Sequence, residues 1–144
     1  MKSLILILFT TFGLSNQSTL FAQETFDVKV IVTNINSQKG KVRLGIFNSS
    51  KTFLDQGKEY KTYSESPDGK TLTFYLNDFT KGEYAISLYH DINSDNKCNL
   101  SFLLRPSEPY GFSNNVKLKL FKPDFEDCKV LVDGDKTVRI ELVE

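Results

Sequence analysis

Gly82-Glu83-Tyr84-Ala85-Ile86-Ser87-Leu88-Tyr89-His90-Asp91-Ile92-Asn93-Ser94-Asp95-Asn96-Lys97-Cys98-Asn99 is a strand pattern that runs directly into a polar loop. Tyr84, Ile86 and Leu88 alternate with Ala85, Ser87 and Tyr89, and a period of two in aromatic and branched residues predicts a strand buried on at least one face. Gly82 opens it, since a turn with positive φ costs glycine little. After His90, oxygen-bearing side chains recur at alternate positions, Asp91, Asn93 and Asp95, and again at Asn99. No apolar face continues through that run, so the strand ends there.

The same alternation recurs on both sides of this stretch. Phe26, Val28, Val30 and Val32 mark a first strand, and Val42, Leu44 and Ile46 a second, joined to the first as a hairpin through the turn-rich residues 34–40. Residues 48–69 hold no sustained period and suggest a long loop with a short helical turn near residues 53–56. Leu72, Phe74 and Leu76 mark a third strand before the one quoted above. Val116, Leu118 and Leu120, then Cys128, Val130 and Val132, then Val138, Ile140 and Leu142 complete the pattern. About seven short strands with no long helical stretch predict an all-β chain, an antiparallel Greek-key-type β-sandwich.

Met1-Lys2-Ser3 followed by Leu4-Ile5-Leu6-Ile7-Leu8-Phe9 has the layout of a secretory signal peptide, too short to span a bilayer. Cleavage after Ala22 is expected, and residues 23–144 then form one domain in the periplasm or outside the cell, with no transmembrane segment. Loss of Lys2 leaves 17 basic against 18 acidic residues, a balance that gives no electrostatic case for nucleic acid or anionic lipid. Two cysteines remain, Cys98 and Cys128, which suit either one disulfide in an oxidising compartment or two buried thiols.

The polar loop invites a calcium reading. Hard cations take six to eight oxygens, and Asp91, Asn93, Asp95 and Asn99 stand at positions one, three, five and nine of a loop in which Lys97 offers its carbonyl from position seven. Position six is Asn96 and position twelve is Phe102, so the usual glycine and bidentate glutamate are missing and two formal charges remain. Such a Ca²⁺ site is weak, with a Kd of roughly 10⁻⁴ to 10⁻³ M. The competing reading is an asparagine-rich turn whose side chains bond to their own backbone.

His90 is the only histidine, and no nucleophile elbow accompanies it, so a structural histidine at a strand end is the expectation over a general base paired with Asp91 or Glu108. One histidine and two distant cysteines fall short of a zinc set. Pro106-Ser107-Glu108-Pro109-Tyr110-Gly111-Phe112-Ser113-Asn114-Asn115 reads as a rigid loop in which Tyr110 and Phe112, with the amides of Asn114 and Asn115 and with His90 nearby, offer a ligand surface for a sugar or peptide. The alternative is that the two rings cap the core while the amides close a turn.

These stretches resemble a family of secreted bacterial proteins, domain of unknown function 2141. The resemblance rests on Gly82, Tyr84, His90, Asp91, Asn93, Pro106, Glu108, Tyr110, Gly111, Phe112, Ser113, Asn114 and Asn115, with Pro123 and Phe125 further on. Asn96 and Pro109 stand where the family usually has glycine, and Asn99 where it has aspartate. The resemblance implies a secreted domain similar to transthyretin-like and carboxypeptidase-regulatory-like sandwiches and implies no activity. The expectation is therefore a binding or structural module with a weak calcium loop, its partner an envelope protein, peptide or glycan. An envelope hydrolase using His90 and a structural subunit of an envelope assembly are the alternatives.

Overall fold

The computed structural model describes residues 23–99, 106–119 and 121–144. Eight strands run in chain order: β1 (Thr25–Thr33), β2 (Lys41–Phe47), β3 (Lys61–Glu65), β4 (Leu72–Thr80), β5 (Gly82–Asp91), β6 (Tyr110–Phe112), β7 (Lys129–Val132) and β8 (Lys136–Glu141). A 3₁₀ turn, Ser113–Asn115, follows β6, and a single helical turn, α1 (Phe125–Cys128), precedes β7. Among the described residues no helix is long and apolar enough to cross a membrane.

The strands form two sheets, one ordered β4-β1-β8 and the other β3-β2-β5-β6, with β7 also paired to β5. Alternation fills the space between them. Val28, Val30, Val32, Phe74, Leu76, Val138 and Ile140 face Val42, Leu44, Ile46, Tyr84, Ile86, Leu88 and Val132 in one buried cluster. The all-β sandwich read from the periodicity is thus the fold observed.

Several details depart from the periodicity reading. β1 and β2 are not a hairpin, because they lie in different sheets, and β2 pairs instead with β3 and β5. β1 and β8 run parallel, with Val30 beside Val138, so the sandwich is not wholly antiparallel. Val116 to Lys119 form no strand, and Leu120 lies outside the described residues. β3 and β6 are strands that the pattern missed, the first polar and half exposed and the second only three residues long. Gly82 lies within β5 with an ordinary φ, and the chain passes from β4 to β5 through Lys81 alone. The helical turn expected near residues 53–56 is a series of tight turns over residues 50–57, bonded Thr52 N–H to Ser49 C=O and Asp55 N–H to Thr52 C=O.

The outer face of the five-stranded sheet carries an apolar cover at one end. Phe47, Ala85 and Phe112 point outward there, and Phe53, Phe125 and Cys128 pack over them as a second apolar cluster. The Phe47, Phe53 and Phe125 rings meet edge to face at centroid distances of 5.4 and 5.8 Å. The other end of that face, beyond Tyr89, carries the polar loop.

Candidate functional site

β2 lies beside β5 with Arg43 opposite Tyr89 and Lys41 opposite Asp91, which puts Arg43 and Asp91 on the same outer face. Arg43 Nε donates to Asp91 Oδ2 at 2.7 Å, and the Asp91 side chain is fully buried while that of Arg43 is 26% exposed. The same Oδ2 accepts the Asn96 N–H at 3.0 Å, and Oδ1 accepts the Asp95 N–H at 3.1 Å. The Arg43 guanidinium also donates to Asn96 Oδ1. Asp91 is therefore the hub around which the loop closes.

Further out, the loop bonds to itself. Asn93 Oδ1 accepts the Asp95 N–H, and Asp95 Oδ1 accepts the Lys97 N–H. Asp95 Oδ2 accepts the amides of Asn99 at 2.9 Å and Asn93 at 3.2 Å. The Asn99 amide is the foremost cause that holds the exposed Asp95 carboxyl below its ordinary value. Ser94 and Asn96 take left-handed backbone at φ 62° and 65°, which agrees with the turn requirement read at position six and met here by asparagine.

A second carboxylate anchors the loop from the opposite side. Glu108 is 7% exposed, and its Oε1 accepts the Ile92 N–H at 3.1 Å while Oε2 accepts the Asn99 N–H at 3.4 Å. Ser107 adds its N–H and hydroxyl to the Asn99 carbonyl. His90, directly before the hub, has no solvent exposure and points into the core. Its N–H donates to the Pro109 carbonyl at 2.7 Å, and its Nε2 lies 2.8 Å from the Lys39 carbonyl. A carbonyl only accepts, so Nε2 is the donor of this pair, and Nδ1 is buried with no hydrogen-bond partner among the described residues. Gly40, at φ 71°, lets the chain pass so close that a Cβ would stand 1.8 Å from the Asp91 carbonyl oxygen. Tyr89, on the Arg43 face, has its phenol pushed up to about 12, chiefly by burial and against the pull of Arg43.

The proline- and asparagine-rich stretch is a splice in the sheet. β6 pairs with β5 at residues 87–89 and β7 with β5 at residues 82–85, which leaves Ile86 between them. Ser113, fully buried, fills that gap: its Oγ accepts the Ile86 N–H at 2.9 Å and donates to the Cys128 carbonyl. Asn114, left-handed at φ 61°, donates its amide to the carbonyls of Asp127 and Lys129, each at 3.0 Å. Asn115 Oδ1 accepts the Glu141 N–H at 2.8 Å and so binds the edge of β8. Gly111 faces the core, where a Cβ would stand 2.7 Å from Ile140 Cγ2. Phe112 is buried in the outer cluster, and Tyr110 is half-buried with its ring edge to face against it at 5.9 Å. Of the residues read as a ligand surface, Phe112 and His90 are buried, and Asn114 and Asn115 hold backbone groups.

A family model described as an uncharacterized protein conserved in bacteria (DUF2141) matches residues 30–141. The chain belongs to that family. No match was found among curated proteins or among solved structures.

Most of the residues that carry the DUF2141 resemblance fall on the 91–99 loop with its anchors and on the splice. Among the described residues no three Asp, Glu, His or Cys side chains gather as a metal set. Asp91, Asn93, Asp95, Lys97 and Asn99 are brought into one loop, but the oxygens of the two aspartates and of Asn93 are turned on N–H donors, and Arg43 supplies the positive charge at Asp91 that a cation would bring. Cys98 and Cys128 are free thiols, the first exposed in the loop after β5 and the second buried at the end of α1. Arg43 is the site residue that sequence reasoning passed over, and its signal was its parity: with Lys41 it is one of two charged residues on the outward face of a strand that turns valine, leucine and isoleucine inward.

Proposed function

We propose that this chain is an exported, non-catalytic β-sandwich module that recognises a polar partner, a peptide or a glycan, through the rigid loop of residues 91–99. The observation that carries the reading is the full use of the reactive groups as scaffold. His90 is buried against the Lys39 carbonyl, Asp91 is committed to Arg43 and two N–H groups, and Glu108 to two more. A general base must reach the proton it abstracts, and neither the imidazole nor the two carboxylates offers that access. The exposed residues of the loop are Asn93, Ser94, Asp95, Asn96, Lys97 and Cys98, among them two amides, a hydroxyl and two opposite charges suited to hydrogen-bonding a polar surface. A loop already closed by its own bonds loses little further entropy when it binds.

A photocrosslinking residue at Lys97 tests this, with the same probe at exposed Tyr75 on β4 as control. The reading expects peptide or glycan adducts from envelope material at position 97 and none at 75. It fails if the two positions capture the same species, or if ester or glycoside substrates are turned over by the intact protein and not by His90→Gln.

A further inference from the structure

We propose that the cleft between β7 and β8 is an anion site, one that takes a sulfate- or phosphate-type dianion. β7 belongs to one sheet and β8 to the other, so the two strands diverge after the Asp133–Asp135 turn and leave a cavity of about 340 Å³. Its volume lies within the range of small-ligand sites. Lys129, Lys136 and Arg139 line it together with Asn114 and Thr137, and no carboxylate does. Glu83 at 3.0 Å and Glu126 at 2.7 Å neutralise the Lys129 ammonium, so the positive charge of the cleft rests on Lys136 and Arg139. Lys136 and Arg139 have no carboxylate partner among the described residues, so two cationic charges in the cleft are uncompensated.

The backbone adds neutral donors to these charges. β8 is the edge strand of its sheet, and Leu142 N–H turns to the Thr33 carbonyl at the end of β1 while Glu141 N–H turns away to Asn115. Alternation then sends the N–H and C=O groups of Thr137 and Arg139 to the same side as those of Glu141, away from β1, where the Asn115 amide covers the Arg139 carbonyl and the N–H groups of Thr137 and Arg139 face the cleft. Strand-edge N–H groups beside a guanidinium and an ammonium make a concavity that favours a compact oxyanion with several acceptor oxygens. An arginine presents two donors in a fork that matches such an anion. The site is separate from the corner, and its occupancy does not depend on that reading.

The test is an amide-resolved NMR titration of residues 23–144 with sodium sulfate and with inorganic phosphate, at ionic strength held constant with chloride. Expected are saturable shifts centred on Thr137, Arg139, Lys129 and Asn114, and a loss of affinity of about tenfold in Arg139→Gln, whose exposed side chain leaves the fold intact. Lys70→Gln, an exposed control, keeps the affinity of the parent. Sedimentation with phosphatidylglycerol vesicles separates the sources. Pelleting that Arg139→Gln abolishes assigns a lipid headgroup, and a soluble anion is assigned if the titration saturates without pelleting. Shifts that do not saturate, that spread over unrelated lysines, or that are equal in the two variants overturn the proposal.

Discussion

Arg43→Met removes the charge at the hub and keeps most of the side-chain volume. The carboxylate left behind is fully buried and retains only the N–H groups of Asp95 and Asn96. Stripping the partner from a buried ion pair costs about 3–5 kcal/mol. The quarter exposure of Arg43 and the two remaining donors reduce the expected loss here to about 2–4 kcal/mol. At roughly 4 °C per kcal/mol for a domain of this size, the thermal midpoint falls by about 8–16 °C. Asp91→Asn and the double variant complete a cycle, in which contacting charges couple by about 1–3 kcal/mol. Urea unfolding of the four proteins, with equal m-values, reads the coupling directly. Additivity within about 0.3 kcal/mol, or a loss in Arg43→Met below about 1 kcal/mol, would refute the claim that this pair closes the corner.

Ser113→Ala strands the Ile86 N–H and the Cys128 carbonyl in a buried seam and should cost about 1–3 kcal/mol for each group, read by urea midpoint, whereas a loss under about 0.5 kcal/mol would mean that the hydroxyl does not splice the sheet. Cys128 is buried, and its thiol is pushed up to about 11 by burial and then by Asp127 and Asp124, so at pH 8 a thiol reagent reaches it only when the chain unfolds. Cys98 reacts in the native state, more slowly than a free thiol because desolvation and then Glu108 raise it to about 11 as well. The Asp95 carboxyl, depressed first by the Asn99 amide, stabilises the loop above the ordinary carboxylate range and loses that effect as pH falls through its lowered value, so the Lys97 amide resonance titrates below pH 3.8 and moves back toward it in Asn99→Ala.

The sheets were legible because the strands of the core alternate cleanly, as Val28 to Val32 and Tyr84 to Leu88 show. Connectivity was not, since a turn-rich segment such as residues 34–40 links strands across sheets as readily as within one, and the parallel β1–β8 pairing joins strands from opposite ends of the sequence. β6 escaped notice because three residues carry no period, and residues 116–119 misled because alternation of side chains alone does not make a strand. The corner residues were visible as a spacing of oxygens. What they bond to was not, because Arg43 is 48 positions from Asp91 in the chain and becomes its neighbour only through the β2–β5 register. Asn114 and Asn115 read as a ligand surface or a turn, while the partners of Ser113, Asn114 and Asn115 lie 13 to 27 residues away on four other elements.

The claim most open to direct test is that the loop of residues 91–99 is closed by its own charges. The measurement is the thermal midpoint of residues 23–144 in 10 mM CaCl₂ against the same buffer with chelator. A site of Kd roughly 10⁻⁴ to 10⁻³ M would add about 1.4–2.7 kcal/mol at that concentration, a rise of several degrees. An unchanged midpoint, within about one degree, is the predicted result. A rise of five degrees or more, together with calcium-dependent shifts in the amides of residues 91–99, would contradict it.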